Sequence, residues 1–356
     1  MTVDSLLVDS VRALFTSTCT HDGVQAAERD GWAPEIWSGA AQMGLPWIGI
    51  PEAAGGSGGT LQDALAVLTV AGEYAAPIPL AEAGMLAGWL LTGAGYEINV
   101  GATCSVIPGR PDDMLELVDG RVTGCAHRVP WARSVDNVAA LLTTRDGPVV
   151  ALLPTASMRI ELAGNLAGEP RDTVHLDHVE PTFLGPAASG IDASALHLRG
   201  ALSRVALMAG ALQSMSSLTQ RYTSERHQFG KAVGSFQAVQ QHLVLGAQEA
   251  AIVAMAAAVA GRAADRSESP VGARFEIAAA KMLADEAART ATRAAHQAHG
   301  AMGMTQEYSL HQLSRRLWSW RNEYGTTASW SRQLGGIVAE HGADGLYPLI
   351  TGGSAA

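Results

Sequence analysis

From Asp192 to about Glu340, apolar residues recur at helical spacing almost without a break. They fall in Ala-rich segments at 193–225, 233–266 and 272–299, interrupted near Gly230 and near Ser269-Pro270. Helices of this length joined by short breaks can bury their apolar stripes only against one another, so an antiparallel four-helix bundle is expected at 191–356. Residues 1 to about 95 also read as helix. Leu7, Val11, Leu14 and Phe15 share one helical face, Pro34 suits a first turn, and Gly44 suits a stop. Thr60 and Asp63 form a capping box ahead of Leu61, Leu65 and Leu68; Pro77 and Pro79 end that helix, and another is expected around Leu80 to Leu91. Between about 100 and 185 the texture changes. NVAALL, VVALLP and TVHLDHV are too short for ordinary helices, and Asp119-Gly120 and Asp146-Gly147 are hairpin signals. At ~8 to 12 residues per strand, about six to eight strands fit here. The expected organisation is an α+β multidomain chain, with an N-terminal all-helical domain at 1–97, a middle β-sandwich or barrel domain at 98–190, and the bundle after it.

Charge narrows the function. Lys and Arg number 24 against 34 Asp and Glu, and a formal net charge of -10 opposes the phosphate neutralisation that nucleic acid requires. An anionic ligand would need local arginines or helix N-termini. Cys19, Cys104 and Cys125 lack close spacing and cannot all pair, which suits a reducing compartment. No metal site is expected, because His175 and His178 have no third ligand cluster beside them. The start, MTVDSLLVDSVRALF, lacks the basic and continuous apolar regions of a signal peptide, and no stretch reaches the ~18 uninterrupted apolar residues of a membrane helix. A cytoplasmic protein without membrane insertion is expected.

Four local patterns carry more specific chemistry. The first is WAPEIWSGAAQMGLPWIGIPEAAGGSGGT near the N-terminus. Its glycine-rich end lacks the Lys and Ser or Thr of a phosphate-binding loop and reads as a connection. The second is Arg226-His-Gln-Phe-Gly-Lys followed by Ser235-Phe-Gln. A guanidinium fork at Arg226 can neutralise a pyrophosphate, and Gln228 and Gln237 add neutral hydrogen bonds that cost less to desolvate than charges. The third is Gln297-Ala-His-Gly-Ala-Met-Gly-Met-Thr-Gln-Glu-Tyr, in which Gly300 and Gly303 permit positive φ and close backbone approach. The fourth is the strand-like run at 171–185.

Together these patterns resemble the acyl-CoA dehydrogenase family along nearly the whole chain. The resemblance implies FAD as cofactor, with Arg226, Gln228, Phe229, Phe236 and Gln237 on the adenosine-diphosphate half of a flavin bound mainly by a neighbouring subunit. Gln297, His299, Gly300, Gly303 and Thr326 complete the implied cofactor set. It also implies an acyl-CoA substrate, in fatty acid or steroid side-chain β-oxidation, and electron-transferring flavoprotein as acceptor.

The chain departs from the family pattern where the chemistry starts. Proton abstraction beside a thioester needs a carboxylate of raised pKa in an apolar pocket. The family's usual Glu position falls on Tyr324, with Glu323 one residue earlier, and an alternative position on the first bundle helix falls near Gly200 and Ala201. One residue on a helix or turn swings a side chain by ~100°. The family's Thr-Glu-Pro stretch in the middle domain is replaced by Cys104-Ser-Val-Ile-Pro-Gly-Arg-Pro-Asp-Asp. Erosion of the base beside intact adenosine motifs is similar to the β-type, base-lacking subunit of actinobacterial heteromeric members, which assemble as α2β2. Two alternatives stand beside it: a self-sufficient homo-oligomer using Glu323 as a displaced base, and a flavin-free structural homologue. Motifs alone do not separate a dehydrogenase from an oxidase. Trp318, Trp320 and Trp330 are expected in the core or at a subunit contact.

Overall fold

The helices α1 (Ser5–Thr18), α2 (His21–Asp30), α3 (Pro34–Gln42) and α4 (Leu61–Glu73) open the chain in a computed structural model that describes residues 5–110, 112–267 and 269–351. α1 buries Val11 and Phe15. α4 begins at the capping box: the Thr60 hydroxyl accepts the N–H of Asp63, and the Asp63 carboxylate accepts the N–H of Thr60. The helix expected near Leu80 forms with a difference. Ala81–Gly88 is π-helical, and only then does α5 (Trp89–Gly93) resume ordinary geometry. This widened segment passes so close to Pro46 that a Cβ on Gly84 would stand 1.8 Å from its carbonyl oxygen. It also carries Glu82, an acid within an apolar run, into the interior at 2% exposure.

Eight strands follow in two four-stranded sheets, ordered β1 (Cys104–Ile107), β4 (Asn137–Thr144), β5 (Gly147–Pro154), β8 (Phe183–Pro186), and β2 (Met114–Val118), β3 (Arg121–Pro130), β7 (Arg171–Val179), β6 (Arg159–Glu161). β1 runs parallel to β4 and every other pair in these two sheets is antiparallel. Asp119 and Gly120 both take positive φ, closing the β2–β3 hairpin as an Asp-Gly pair should. Val138, Ala140 and Leu142 of β4 pack with Val122, Ala126 and Val174 of the second sheet, while Ala139 and Leu141 join the helical core. Burial on both faces explains why NVAALL reads as an unbroken apolar run. The second sheet has one solvated face, and its strands alternate accordingly.

The bundle consists of α6 (Ala193–Glu225), α7 (Gln237–Arg266), α8 (Arg274–His299), α9 (Leu310–Trp320) and α10 (Thr327–Thr351), the last bent at Gly342. A small hairpin, β9 (His227–Gln228) and β10 (Lys231–Ala232), separates α6 from α7. α6 starts where the Asp192 carboxylate accepts the N–H of Ala195. It crosses α4 at two glycines: a Cβ on Gly72 would lie 2.0 Å from the Leu207 carbonyl oxygen, and one on Gly210 would lie 1.8 Å from that of Thr69. α7 is the exception to burial. Val244, Ile252, Met255 and Val259 form a stripe on it that is 42–71% exposed. By length and composition this helix is apolar enough to cross a membrane, although glutamines and His242 interrupt any continuous apolar run.

The α4–α6 crossing gives a direct test. Gly210→Ala should lower unfolding free energy by about 1–3 kcal/mol, because neither backbone can yield to the added methyl. Gly246→Ala on α7, where a Cβ meets nothing within 4 Å, should stabilise by roughly 0.5–1 kcal/mol. Denaturant titration of both variants makes the comparison.

Candidate functional site

Three parts of the chain meet around Glu323, in the turn after α9. Arg171 at the start of β7 donates from Nε to Glu323 Oε1 at 2.7 Å and from Nη2 to Oε2 at 3.3 Å. Arg204, from the middle of α6, donates from Nε to Glu323 Oε2 at 2.6 Å and from Nη2 to Glu82 Oε1 at 2.5 Å. Arg171 also holds Glu169 at 3.0 Å, and the same carboxylate accepts from Trp320 Nε1 at 3.0 Å. Burial pushes the Glu323 carboxyl up, but the charges and hydrogen bonds of Arg171 and Arg204 outweigh it and hold the group at about 2. A general base needs a free lone pair and a proton affinity near working pH. Paired with both arginines and held at about 2, Glu323 lacks that affinity, which weighs against the reading of it as a displaced base.

The two positions at which the family's carboxylate is expected touch each other. A Cβ on Gly200 would stand 2.2 Å from Tyr324 Cε1, so the tyrosine ring lies flush on α6. Tyr324 takes φ 53 and is 6% exposed, and its hydroxyl has no hydrogen-bond partner among the described residues. Burial, together with the Glu82 and Glu323 charges, raises this phenol further from ionisation despite Arg204. It is no substitute base. Lys281 of α8, fully buried, donates to the Arg321 carbonyl at 2.7 Å and to Asp285 at 2.5 Å, which ties the turn that carries Glu323 and Tyr324 to the bundle.

Arg171 and Glu323 of this knot also line a cleft of about 670 Å³ that opens between the β sheets and the bundle. Gly109, Arg110 and Asp112 line it from the loop before β2, Arg128 and Pro130 from β3, His197 and Trp318 from the helices, and Tyr324 and Thr326 from the turn between α9 and α10. Thr326 is exposed there. Trp318 is 40% exposed at the cleft, whereas Trp320 and Trp330 are core residues.

The other sequence candidates gather at the far end of α6. Arg226 caps that helix, Gln228 sits on β9, and Phe229 and Gly230 form the hairpin tip at positive φ. Phe229 is 90% exposed and meets Phe236 edge to face at 6.2 Å, and Lys231 lies over the Phe236 ring at 4.3 Å. The end of α8 comes alongside: Tyr222 stacks on His299 at 4.4 Å, and Tyr308 leans on the same ring at 5.1 Å. Gly300 takes φ 60, whereas Gly303 is required for space, since a Cβ there would meet that of His299 at 2.9 Å. The side chains of Arg226, Gln228, Gln237 and Gln297 are solvent-exposed and make no hydrogen bond within the described residues. One guanidinium and three amides without protein partners form a donor set that fits a pyrophosphate. Gly200, against Tyr324, lies about 40 Å along α6 from Arg226 at a rise of 1.5 Å per residue. The implied cofactor residues therefore fall into two groups, Thr326 beside Tyr324 and the rest at the far end of α6.

No local spacing marks Glu82, Glu169, Arg171 or Arg204 in the sequence. The available signal is a lone charge inside an apolar run, as with Arg204 in ALSRVALMAGAL and Glu82 in PIPLAEAGML. A charge so placed is buried, and a buried charge requires a partner.

A buried carboxylate held down at about 2, against an ordinary value of 4.5, contributes stability that is present above pH 4.5 and lost as pH falls toward 2. Relative to Glu323→Gln, the wild type should lose on the order of 3 kcal/mol across that window. At pH 7 the substitution should cost roughly 3–5 kcal/mol, since it leaves two guanidinium groups short of charge. Denaturant unfolding at a series of pH values measures both.

Residues 4–97 match the model of the acyl-CoA dehydrogenase N-terminal domain, and residues 194–335 match that of the C-terminal domain. Among curated relatives, acyl-CoA dehydrogenase IpdE2 of Mycolicibacterium smegmatis is 28% identical over 315 residues, covering 87% of this chain and 91% of that protein. Among solved structures, a chain of the ChsE4-ChsE5 complex from Mycobacterium tuberculosis superposes with a TM-score of 0.86 at 21% identity, covering 96% of this chain and 99% of that one. A chain of the Tcur3481-Tcur3483 steroid ACAD G363A variant superposes with a TM-score of 0.82 at 22% identity, covering 94% and 97%. With both family domains in place along the chain, and with the helix–sheet–bundle order they flank, this protein belongs to the acyl-CoA dehydrogenase family of FAD-dependent oxidoreductases.

Proposed function

We propose that this chain is the base-lacking β subunit of an α2β2 acyl-CoA dehydrogenase, in which a second, base-bearing chain starts the reaction. The observation that carries this reading is the packing of Tyr324 against Gly200, which fills the place of a carboxylate with an unionised ring. Glu323 beside it is committed to two arginines. Arg226, Gln228, Phe229, Phe236 and Gln237, with Gln297, His299, Gly300 and Gly303, would hold the adenosine-diphosphate half of an FAD whose ring lies in the partner. Their separation from Thr326 along α6 supports a cofactor shared between chains. The chemistry such a flavin supplies is acceptance of hydride from the β carbon of the acyl thioester. This chain's residues bind and orient; the partner's carboxylate removes the α proton.

The exposed apolar stripe of α7 supports assembly, because a stripe of that kind is covered in a working oligomer. We therefore read α7 as a subunit contact of a cytoplasmic complex and not as a membrane span. The steroid enzyme among the structural neighbours favours an acyl-CoA whose acyl group is a steroid side chain, and the family resemblance favours electron-transferring flavoprotein as acceptor.

The test is flavin content. Purified alone, the chain should carry no stoichiometric FAD and oxidise no acyl-CoA; co-expressed with a base-bearing dehydrogenase it should give one flavin per two chains. Arg226→Ala in that complex should weaken flavin binding roughly tenfold to a hundredfold, the worth of a hydrogen bond to a charged group. Stoichiometric flavin and turnover in the isolated chain would overturn the proposal.

A further inference from the structure

The solvated face of the β2–β3–β7–β6 sheet carries a second set of reactive side chains. Cys125 and His127 stand two residues apart on β3, so the pleat directs both to the same face. His127 Nε2 lies 3.6 Å from Cys125 Sγ, and Nδ1 lies 3.2 Å from Asp113 Oδ1. The Asp113 side chain is fully buried; its Oδ1 also accepts the backbone N–H of His127 at 2.8 Å, and its Oδ2 accepts that of Arg110 at 3.2 Å. An acceptor at Nδ1 fixes the imidazole proton there and turns the Nε2 lone pair toward the thiol. Nucleophile, base and orienting group thus stand in line.

The surroundings fit a thiol that needs that base. Burial and the charge of Asp113 raise Cys125 from its ordinary value, against Arg159; Glu161 adds to the rise, and His175 of β7 is its cross-strand neighbour. The group therefore rests as a protonated thiol and reacts only when a neighbour takes its proton. Cys19 and Cys104 are pushed up to about 12 by burial, and among the described residues neither pairs with a histidine. The relay also adjoins the cleft. A register shift between Ala126 and Val129, with Arg128 at φ 55, turns Arg128 into the cleft while His127 stays outside, and Asp112 lines the cleft next to Asp113.

We propose that Cys125 is an S-acylation site for acyl thioesters of the acyl-CoA class, with His127 as general base and Asp113 as positioning residue. In the step, Sγ attacks the thioester carbonyl carbon while His127 Nε2 takes the thiol proton. The bond from that carbon to the coenzyme A sulfur then breaks, and the departing thiolate recovers the proton. The products are an S-acylated Cys125 and free coenzyme A, with nothing oxidised or reduced. The step uses neither flavin nor partner chain, so it stands or falls separately from the subunit reading.

The full-length chain is incubated with butyryl-CoA between pH 6 and 9, and acyl incorporation is followed by intact mass and peptide mapping. One acyl group should appear on Cys125 at least tenfold faster than glutathione is acylated at the same pH. His127→Gln, checked by thermal unfolding to be folded, should slow this at least tenfold and move the rise in rate to the higher pH range of an unassisted thiol. Asp113→Asn should shift the same pH profile in the same direction, and Cys125→Ser should remove the label. Label spread equally over Cys19 or Cys104, a Cys125 rate no faster than glutathione, or an unchanged rate in His127→Gln would each overturn the proposal.

Discussion

The ion pairs of Glu323 with Arg171 and Arg204 join the N-terminal helices, the β sheets and the bundle at one buried point, through Glu82 and Glu169 on the far side of each arginine. Desolvating such charges costs several kcal/mol per ion, and their mutual attraction roughly returns it when every lone pair is used. The network's contribution lies in geometry more than in net stability. Two guanidinium groups presenting fixed forks allow one relative placement of the elements that carry them. That placement sets the width of the cleft above and the position of Tyr324 beside it.

Much of this architecture is legible in the chain, for identifiable reasons. The bundle helices follow from their apolar periodicity, and the capping box at Thr60 and the Asp119-Gly120 turn form as their local chemistry dictates. The doubly buried β4 and β5 show as continuous apolar runs. What escapes is non-local. Nothing near Glu82 in sequence reveals that its segment widens to π geometry, or that Gly84 there passes against the backbone of Pro46. The displaced glutamate looks available from its neighbours; only the arrival of arginines from β7 and α6 shows that it is occupied. The offset between Glu323 and Tyr324 is a one-residue matter in the chain and a change of chemistry in space.

The site residues divide between the two ends of α6. A helix this long works as a spacer, delivering the β9–β10 hairpin to the edge of the molecule while its other end is anchored by Arg204. Free amides and an exposed phenylalanine at that edge are poorly used by an isolated protein. They suit a second body that brings its own half of the binding surface.

The uncovered stripe on α7 has a further consequence, for the biology of making the protein. A newly synthesised chain that presents Val244, Ile252, Met255 and Val259 to water is a substrate for chaperones, proteases and self-association until something lies over that helix. On the subunit reading proposed above, cells have reason to synthesise the partner at the same time and in equal number, since any excess would be the copy that is cleared.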